Sequence, residues 1–352
     1  MTSVANLASK LLSGPQRIAY IGNSVTAQRD GYRTVLHNLI KNWSSHEHAA
    51  VNAGLGGVGS FGSAALLDLF ALKRKPSVAF IETSLADSGL NTPVEWVEDS
   101  VRSLVESLRE IETVAVFLHM PRVDEFRSCV ISTRAKYDKI AAATRTPCID
   151  VEHRCVNLGV VLQHSMFTDG IHTTPQGGRL FAETIATAIV ESAELPLPAV
   201  HNIGPSDPSR GWMRLRTHWA DTLSVTAGFP SRGLYRLQLP TLRITRGSQV
   251  EFSTGTSSVV GLVVVVDSEA GVMEVASGSD GLAVQLADEW TNRSPRLQVV
   301  PFPRTFGVKD TLRVTCSTKD AAPRDAAGRF TQVQATASSL QLCGLVYVEP
   351  AA

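Results

Sequence analysis

The chain has 352 residues, which exceeds one domain of average length, so two domains are the natural expectation. Its 33 basic residues balance 33 acidic residues, and a chain without net charge lacks the attraction on which binding to nucleic acid or an anionic membrane depends. Residues 1–12 contain no signal-peptide core, and no run reaches the roughly 18 apolar residues of a membrane span. Five scattered cysteines without a Cys-x-x-Cys pair indicate neither disulfides nor a zinc site. We therefore expect a cytoplasmic protein that binds neither nucleic acid nor membrane.

The first 195 residues alternate short apolar segments with helical patterns. In residues 93–111, for example, apolar side chains recur at spacings of three and four, the stripe of a helix that lies on a sheet. Parallel strands need crossover connections, and helical crossovers cover both faces of the sheet. The pattern predicts an α/β domain with three layers and a mostly parallel sheet over residues 1–195. The predicted strands are residues 18–21, 49–53, 78–81, 113–118 and 148–151.

The pattern changes after residue 195. Prolines crowd residues 196–208, as in a stiff linker between domains. Residues 209–352 contain short β-rich segments separated by Gly, Pro, Asn, Asp and Ser, without helical periodicity. This composition predicts an all-β sandwich or jelly roll as a second, accessory domain.

Ser24, Gly57 and residues 82–89 stand where a parallel sheet would place a ligand site, at the carboxyl ends of strands. Ser24 follows the first predicted strand, and Asp169 and His172 share one short turn about 145 residues later. Singly, these residues are also typical of a helix cap, a turn aspartate and a surface histidine. In combination, a histidine can take the proton of a serine while an aspartate orients its other ring nitrogen. The combination therefore indicates nucleophilic catalysis.

Three segments resemble the sequence blocks of the SGNH (GDSL-type) hydrolases, and the resemblance covers about residues 16–193. Gly22-Asn23-Ser24 is similar to the first block, with Asn where the family often has Asp. Residues 52–57 resemble the second block and residues 169–177 the last. The resemblance implies a three-layer α/β/α, flavodoxin-like fold and a serine hydrolase that needs no cofactor and no metal.

The same resemblance implies the roles of the site residues. Ser24 matches the nucleophile, His172 the base and Asp169 its orienting carboxylate. The backbone N–H groups of Ser24 and Gly57 match two donors of the oxyanion hole. Side chains expected to line the substrate site are Asn23, Ser84, Asp87 and His119.

The third block departs from the family pattern. Residues 76–87 align with it, and Ala86 stands where the family has the asparagine whose amide contacts the oxyanion. Loss of one such donor typically costs about 10²- to 10³-fold in rate. Three explanations stay open: a neighbour such as Ser84, Ser88 or Asn91 replaces the donor, two N–H groups suffice, or the protein is not a fast hydrolase.

The resemblance, with the attached β domain, implies a serine esterase that removes a small acyl group, acetyl being favoured, from a carbohydrate or a related hydroxyl. Two alternatives remain. An O-acyltransferase would pass the acyl group to a glycan hydroxyl, and an impaired domain would only bind its ligand. Retention of all four site residues argues against the impaired domain: Ser24, Gly57, Asp169 and His172.

Other motifs carry weaker signals. Gly54-x-Gly56-x-x-Gly59 fits a dinucleotide fingerprint, but the acidic residue expected about 20 positions later is missing. His46-Glu47-His48 lacks a third metal ligand, so we expect a solvated polar face. Arg122, after the fourth strand, is expected to be structural or substrate-lining. For the aromatic residues of the second domain, packing in the core is favoured over stacking on sugar rings: Trp212, Trp219, Tyr235 and Trp290.

Overall fold

The computed structural model describes most of the chain, and its compact units are Met1–Arg214 with Pro350–Ala352, and Leu215–Glu349. The predicted linker lies outside the described residues, and the predicted domain boundaries stay a prediction. The described residues are 4–88, 92–124, 127–193, 213–220, 231–234, 237–254, 258–267, 270–286, 295–308, 310–318 and 339–350.

Five parallel strands form the sheet of the first unit: β1 (Arg17–Gly22), β2 (Ala49–Gly54), β3 (Val78–Glu82), β4 (Val114–His119) and β5 (Cys148–Asp150). Their order across the sheet is β2-β1-β3-β4-β5. Strand β1 therefore lies between β2 and β3, and its last residue, Gly22, is in register with Gly54 and Glu82. All five residues of β3 are buried, as expected for a strand covered on both faces.

Helices cover both faces of this sheet. On one face the first, third and last helices share a core with the inward residues of the strands, where Tyr20 stacks on Phe80 at 5.5 Å. On the other face Phe117 of β4 contacts Tyr137 at 5.4 Å. The predicted three-layer α/β/α architecture is confirmed. The helices are α1 (Val4–Leu12), α2 (Ser24–Ala27), α3 (Tyr32–Ser44), α4 (Ser60–Ala65), α5 (Leu67–Phe70), α6 (Ser84–Ser88), α7 (Val94–Arg109), α8 (Arg127–Thr144), α9 (Val151–Asn157) and α10 (Pro175–Ala193), with 3₁₀ turns at Leu72–Arg74 and His164–Met166.

The later strands are antiparallel, as predicted for the second domain. One sheet has the order β10-β15-β12-β13, another has β14-β11-β16-β6 with β9 beside β16, and β7 pairs with β8. The strands are β6 (Met213–Trp219), β7 (Ser231–Leu234), β8 (Leu237–Pro240), β9 (Leu242–Thr245), β10 (Gln249–Ser253), β11 (Ser258–Val266), β12 (Val272–Ser277), β13 (Asp280–Gln285), β14 (Arg296–Pro301), β15 (Thr311–Cys316) and β16 (Ser339–Pro350).

The two larger sheets share one hydrophobic core, which makes this unit a β-sandwich. In β12, buried and half-buried residues alternate, so that Met273 and Val275 face the core. Strand β11, which lies between β14 and β16, is buried over most of its length and carries the valine-rich run 262–266. In the part of the chain described here, no helix combines the length and hydropathy needed to cross a membrane.

Candidate active site

Ser24 begins helix α2 directly beyond the carboxyl end of β1. Asn23 caps this helix, and its Oδ1 accepts a hydrogen bond from the backbone N–H of Val25 at 2.8 Å. The N–H of Ser24 lies in the first turn of α2, where no acceptor is available within the helix. The turn is tight, because a Cβ atom at Gly22 would lie 2.5 Å from the carbonyl oxygen of Glu82. Only glycine therefore fits immediately before the capping residue.

His172 joins Ser24 to Asp169. Its Nε2 lies 2.7 Å from Oγ of Ser24, and its Nδ1 lies 2.6 Å from Oδ2 of Asp169. The other carboxylate oxygen of Asp169 accepts the backbone N–H groups of Ile171 and His172, at 3.1 and 2.8 Å. With Nδ1–H donated to Asp169, Nε2 is left as the acceptor that faces the serine hydroxyl. This is the geometry of a nucleophile, a base and an orienting group.

The carboxylate of Asp169 is electrostatically suited to this role. Partial burial alone would raise its pKa, but hydrogen bonds from the His172 side chain and from the backbone N–H groups of His172 and Ile171 lower the pKa below the ordinary aspartate value. Asp169 is therefore ionised at neutral pH. A carboxylate held in this state stabilises an imidazolium on His172 when the ring takes up a proton.

The glycine-rich loop after β2 lies beside Ser24. The N–H of Leu55 donates to the carbonyl of Gly22 at 2.9 Å, and a Cβ atom at Gly56 would lie 4.0 Å from Cβ of Ser24. Gly57 has a φ of +71°, a left-handed conformation that glycine adopts at little cost. The loop is therefore in place to offer an N–H to a substrate at Ser24, although this donation by Gly57 stays a prediction.

Comparison with known proteins identifies relatives by structure alone, because no family model and no curated protein sequence matches the chain. A two-domain esterase active on acetylated mannans superposes with a TM-score of 0.75, at 14% identity, over 99% of this chain and 95% of its own. Its structure co-crystallised with mannopentaose gives 0.70 at 15% identity over 99% and 94%. A putative lipolytic protein of the G-D-S-L family from Desulfitobacterium hafniense DCB-2 gives 0.43 at 16% identity, over 49% of this chain and 99% of its own.

The chain has the SGNH hydrolase fold. The match to the two-domain esterase spans both units, so the β domain that follows the SGNH domain is part of the shared architecture. At 14–15% identity the likeness concerns the fold, and the activity has to be argued from the residues of the site.

Ala86 lies in the segment that resembles the third block, and the neighbours considered as replacement donors differ in their contacts. Ala86, on α6, is buried with 7% exposure. The Ser88 hydroxyl donates to the carbonyl of Leu85 at 2.6 Å, and Asn91 lies outside the described residues. The Ser84 hydroxyl is buried and has no hydrogen-bond partner among the described residues. Of the described candidates, Ser84 thus keeps an uncommitted donor, and its role at an oxyanion stays a prediction.

Asp87, on α6, contacts the end of the glycine-rich loop and the start of α4. Its carboxylate accepts the backbone N–H of Ser60 at 2.8 Å and the hydroxyl of Tyr137 at 2.6 Å. Burial raises the pKa of Asp87, while the hydrogen bonds from Tyr137 and Ser60 oppose that rise. A Cβ atom at Gly59 would lie 2.3 Å from the carboxylate, so the loop passes directly against it. Asp87 therefore anchors the glycine-rich loop on α8.

Arg122, which follows β4, lies between α6 and the turn that carries Asp169 and His172. Its buried guanidinium donates to the Ser88 hydroxyl at 3.0 Å and pairs with the carboxylate of Asp124. Next to it, the N–H of Val123 donates to the carbonyl of Gly170 at 2.9 Å. A charge buried in this way needs a partner, and Asp124 supplies it. Of the two expected roles, these contacts give Arg122 the structural one.

The four side chains predicted to line the substrate site are all buried in this structure. The exposed fractions are 3% for Asn23, 0% for Ser84, 5% for Asp87 and 2% for His119. The His119 ring contacts Tyr137 of α8 at 5.8 Å, and its Nε2 lies 3.3 Å from Asp138. Contact of these four residues with a substrate therefore stays a prediction.

One group of potential metal ligands occurs among the described residues. Donor atoms of His119, Asp138 and Cys148 lie within 4.8 Å of one another. The His119 ring is already paired with Asp138, and this hydrogen bond lowers the pKa of the aspartate. Burial, with the nearby carboxylates of Asp138 and Asp150, raises the pKa of the Cys148 thiol. A protonated thiol is a poor metal ligand, so we interpret this group as a hydrogen bond between the buried His119 ring and the exposed Asp138 carboxylate, beside a thiol.

The histidines at residues 46–48 differ from the solvated face that the sequence predicted. His48 is buried, its Nδ1 accepts the backbone N–H of Gln16 at 2.9 Å, and its Nε2 lies 2.8 Å from the Ser44 hydroxyl. The prediction was wrong for His48 because both ring nitrogens are satisfied by groups of neighbouring elements. Of the second-domain aromatics, Trp219 is half-buried in β6, and the other three lie outside the described residues.

Sequence analysis missed Glu82, which is completely buried at the end of β3 and contacts the residues on either side of Ser24. A detectable signal exists, since Glu82 is the one charged residue that ends the apolar strand Val78–Glu82. A carboxyl group in that position is costly unless hydrogen bonds satisfy it.

Proposed function

We propose that the chain is a serine esterase that removes an acetyl group from a carbohydrate hydroxyl. The observation that carries this proposal is the hydrogen-bonded series Ser24–His172–Asp169, at 2.7 and 2.6 Å, at the carboxyl ends of the strands of an SGNH fold. Ligands of open α/β sheets bind at that edge. An activated serine at such a place performs acyl transfer chemistry.

The mechanism follows from the chemistry of these groups. His172 takes the proton of Ser24 as Oγ attacks the ester carbonyl carbon, and Asp169 stabilises the resulting imidazolium. The backbone N–H groups of Ser24 and Gly57 bind the oxyanion of the tetrahedral intermediate. His172 then returns the proton to the departing alcohol, which leaves acetyl-Ser24. Water attacks this ester with His172 again as the base, and acetate and free serine result.

The substrate class is proposed from the two-domain architecture. A two-domain esterase whose fold is similar over 99% of this chain is active on acetylated mannans. The alkoxide of a sugar hydroxyl is a poor leaving group unless it is protonated, and His172 is placed to protonate it. An acetylated mannan is therefore the first polysaccharide to test.

The test measures acetate release from acetylated mannan, and 4-nitrophenol release from 4-nitrophenyl acetate, by the full chain. Ser24→Ala and His172→Ala should each reduce both rates by about 10⁴-fold or more, as expected for removal of a triad member. His164→Ala is the matched control, because this exposed histidine precedes the triad turn and should leave the rates unchanged.

Two results would contradict the proposal in different ways. If the wild-type chain is no faster than Ser24→Ala on either ester, the serine esterase mechanism is wrong. If the wild-type chain cleaves the nitrophenyl ester but releases no acetate from the polysaccharide, the mechanism stands and the carbohydrate assignment fails.

A further inference from the structure

The buried Glu82 side chain lies under the turn that presents Ser24. It is 0% exposed, and its backbone is in register with Gly22, two residues before the serine. Among the residues that the structure describes, no lysine or arginine forms an ion pair with it. A buried carboxyl group without a counter-ion is destabilising in its charged form, so its hydrogen bonds decide whether it is tolerated.

Both carboxyl oxygens of Glu82 contact the nucleophile turn. Nδ2 of Asn23 donates to Oε1 at 3.0 Å, and the hydroxyl of Thr26 donates to Oε2 at 3.0 Å. The hydroxyl of Tyr32, on α3, lies 2.9 Å from that of Thr26 and can donate to it. The network therefore spans from the residue before Ser24 to a residue two positions after it.

The contact with Glu82 also fixes the orientation of the Asn23 amide. The N–H of Val25 requires an oxygen acceptor, and the Glu82 carboxyl offers an acceptor that requires an N–H donor. With Nδ2 directed to Glu82, Oδ1 of Asn23 is directed to Val25 and caps α2. Ser24 lies between the two residues joined by this cap, so its backbone N–H and its hydroxyl are held by the same interactions.

We propose that Glu82 is a positioning residue for the nucleophile: through Asn23 and Thr26 it holds Ser24 in line with His172 and holds the Ser24 N–H toward the oxyanion. This inference rests on the proposed esterase function. It also accounts for Asn23 in the first block. An aspartate at this position would place a carboxylate oxygen, which cannot donate a hydrogen bond, against Oε1 of Glu82.

The protonation of Glu82 is compatible with this role. Burial raises its pKa to about 8, against the hydrogen bonds of Thr26 and Asn23, and the charge of Asp87 on α6 adds to the rise. Tyr32 is the titratable group that faces it from α3. When protonated, Glu82 can donate to Thr26, which then donates to Tyr32, and the bond from Asn23 is unchanged. Glu82→Gln reproduces this neutral state.

The decisive experiment begins by replacing the Asn23 amide, which donates to Glu82, with a carboxyl group. In Asn23→Asp, two carboxyl groups meet where an amide met a carboxyl, at a distance of 3.0 Å in the wild type. They can share one proton at low pH but repel when both are ionised. A misplaced nucleophile costs about 10²-fold in rate. We expect the kcat of Asn23→Asp to fall by about that factor at pH 9 and less at pH 6.

Rescue tests the pairing itself. When Asn23→Asp is combined with Glu82→Gln, the new amide donates to the new carboxylate, which still caps Val25, and the oxygen of that amide still accepts from Thr26. We expect the double variant to recover most of the lost kcat and the wild-type pH profile. Asn38→Asp, an exposed site on α3, is the matched control for an added charge and should match the wild type.

Readouts are kcat and KM on 4-nitrophenyl acetate, and the rate at which a fluorophosphonate labels Ser24. If the double variant is no more active than Asn23→Asp while both keep the wild-type unfolding midpoint, the positioning role is wrong. If the wild-type chain hydrolyses no acetyl ester but Ser24 is labelled, the esterase proposal fails. The labelling rates of the wild type and the variants then still test the positioning role of Glu82. A wild-type Ser24 that cannot be labelled overturns both.

Discussion

The hydroxyl oxygen of Ser24 lies 2.7 Å from Nε2 of His172, although 148 positions of sequence separate the two residues. A second contact supports this approach, since the Gln28 amide at the end of α2 donates to the carbonyl of Thr173 at 2.7 Å. The turn that carries His172 is therefore held against the helix that carries Ser24 by hydrogen bonds within two different pairs of residues, Ser24–His172 and Gln28–Thr173.

Asp169→Asn tests the orienting role of the carboxylate. An amide at this position can no longer stabilise the imidazolium and can favour the wrong tautomer of His172, so kcat should fall. The loss should be about 10²- to 10⁴-fold, toward the lower end because the Asp169 side chain is 47% exposed and water partly replaces its charge. Steady-state kinetics on 4-nitrophenyl acetate measure the change. A variant with wild-type kcat would show that Asp169 does not assist His172.

Ala86→Asn restores the residue that the third SGNH block usually carries. We expect kcat to be unchanged or higher, by up to about 10²-fold, because the added amide can donate to the oxyanion. Ala86→Leu is the matched control, since leucine adds similar bulk without a donor at a site that is 7% exposed. If both variants lose activity equally, the space beside Ala86 has another use and the block is misaligned.

Glu82 should make the stability of the chain depend on pH with a defined sign. Its pKa is about 8 in the folded chain against an ordinary value of 4.5, so the folded state binds the proton more tightly. The stability from this group is complete below pH 4.5 and is lost as the pH rises through 8, by at most about 1.4 kcal/mol per pH unit. Glu82→Gln should lack this loss.

Urea unfolding of both proteins at about pH 5, 6, 7 and 8 measures that difference. The free energy of unfolding of the wild type should fall relative to that of Glu82→Gln across the series. Glu98→Gln, which removes an exposed carboxylate on α7, should follow the wild type. If the free energy of unfolding depends on pH in the same way for the wild type and Glu82→Gln, the pKa of Glu82 is not raised in the folded chain.

Gly22→Ala should disrupt the nucleophile turn. The added methyl group would lie 2.5 Å from the carbonyl oxygen of Glu82 and 2.3 Å from the Thr26 hydroxyl oxygen. Strand β1 would have to move, at a cost of about 1 to 3 kcal/mol, and Thr26 would be displaced from Glu82. We expect a lower unfolding midpoint together with a lower kcat. Gly281→Ala provides a contrast in available space, because its backbone has no positive φ and the nearest atom to its added Cβ, the carbonyl oxygen of Val275, lies 4.0 Å away.

The sequence predicted the fold well where local patterns carry the information. Apolar strands that alternate with helical stripes sufficed for the three layers, since β3 and the stripe of α7 appear within a residue or two of their predicted places. In the β domain, several strands escaped prediction. In β13, for example, exposed and half-buried residues alternate, which leaves little hydrophobic signal.

The site was predictable only in part, for a physical reason. Ser24, Asp169 and His172 could be placed because each lies in a short motif at a strand end or turn. The contacts Asn23–Glu82, Asp87–Tyr137 and Arg122–Ser88 could not, because they join elements far apart in sequence. Glu82 is the clearest case. Its two hydrogen bonds join residues 59 and 56 positions apart, and such contacts do not show in the hydrophobic periodicity of the sequence.

The most direct test of the central claim is to locate the activated serine by mass spectrometry. The full chain is treated with a fluorophosphonate, digested, and the labelled peptide is sequenced, with His172→Ala treated in parallel. The geometry predicts one label on Ser24 in the wild type and a rate at least about 10³-fold lower without His172. A label on another serine, or equal labelling of Ser24 without His172, would contradict the assignment of Ser24 and His172 as nucleophile and base.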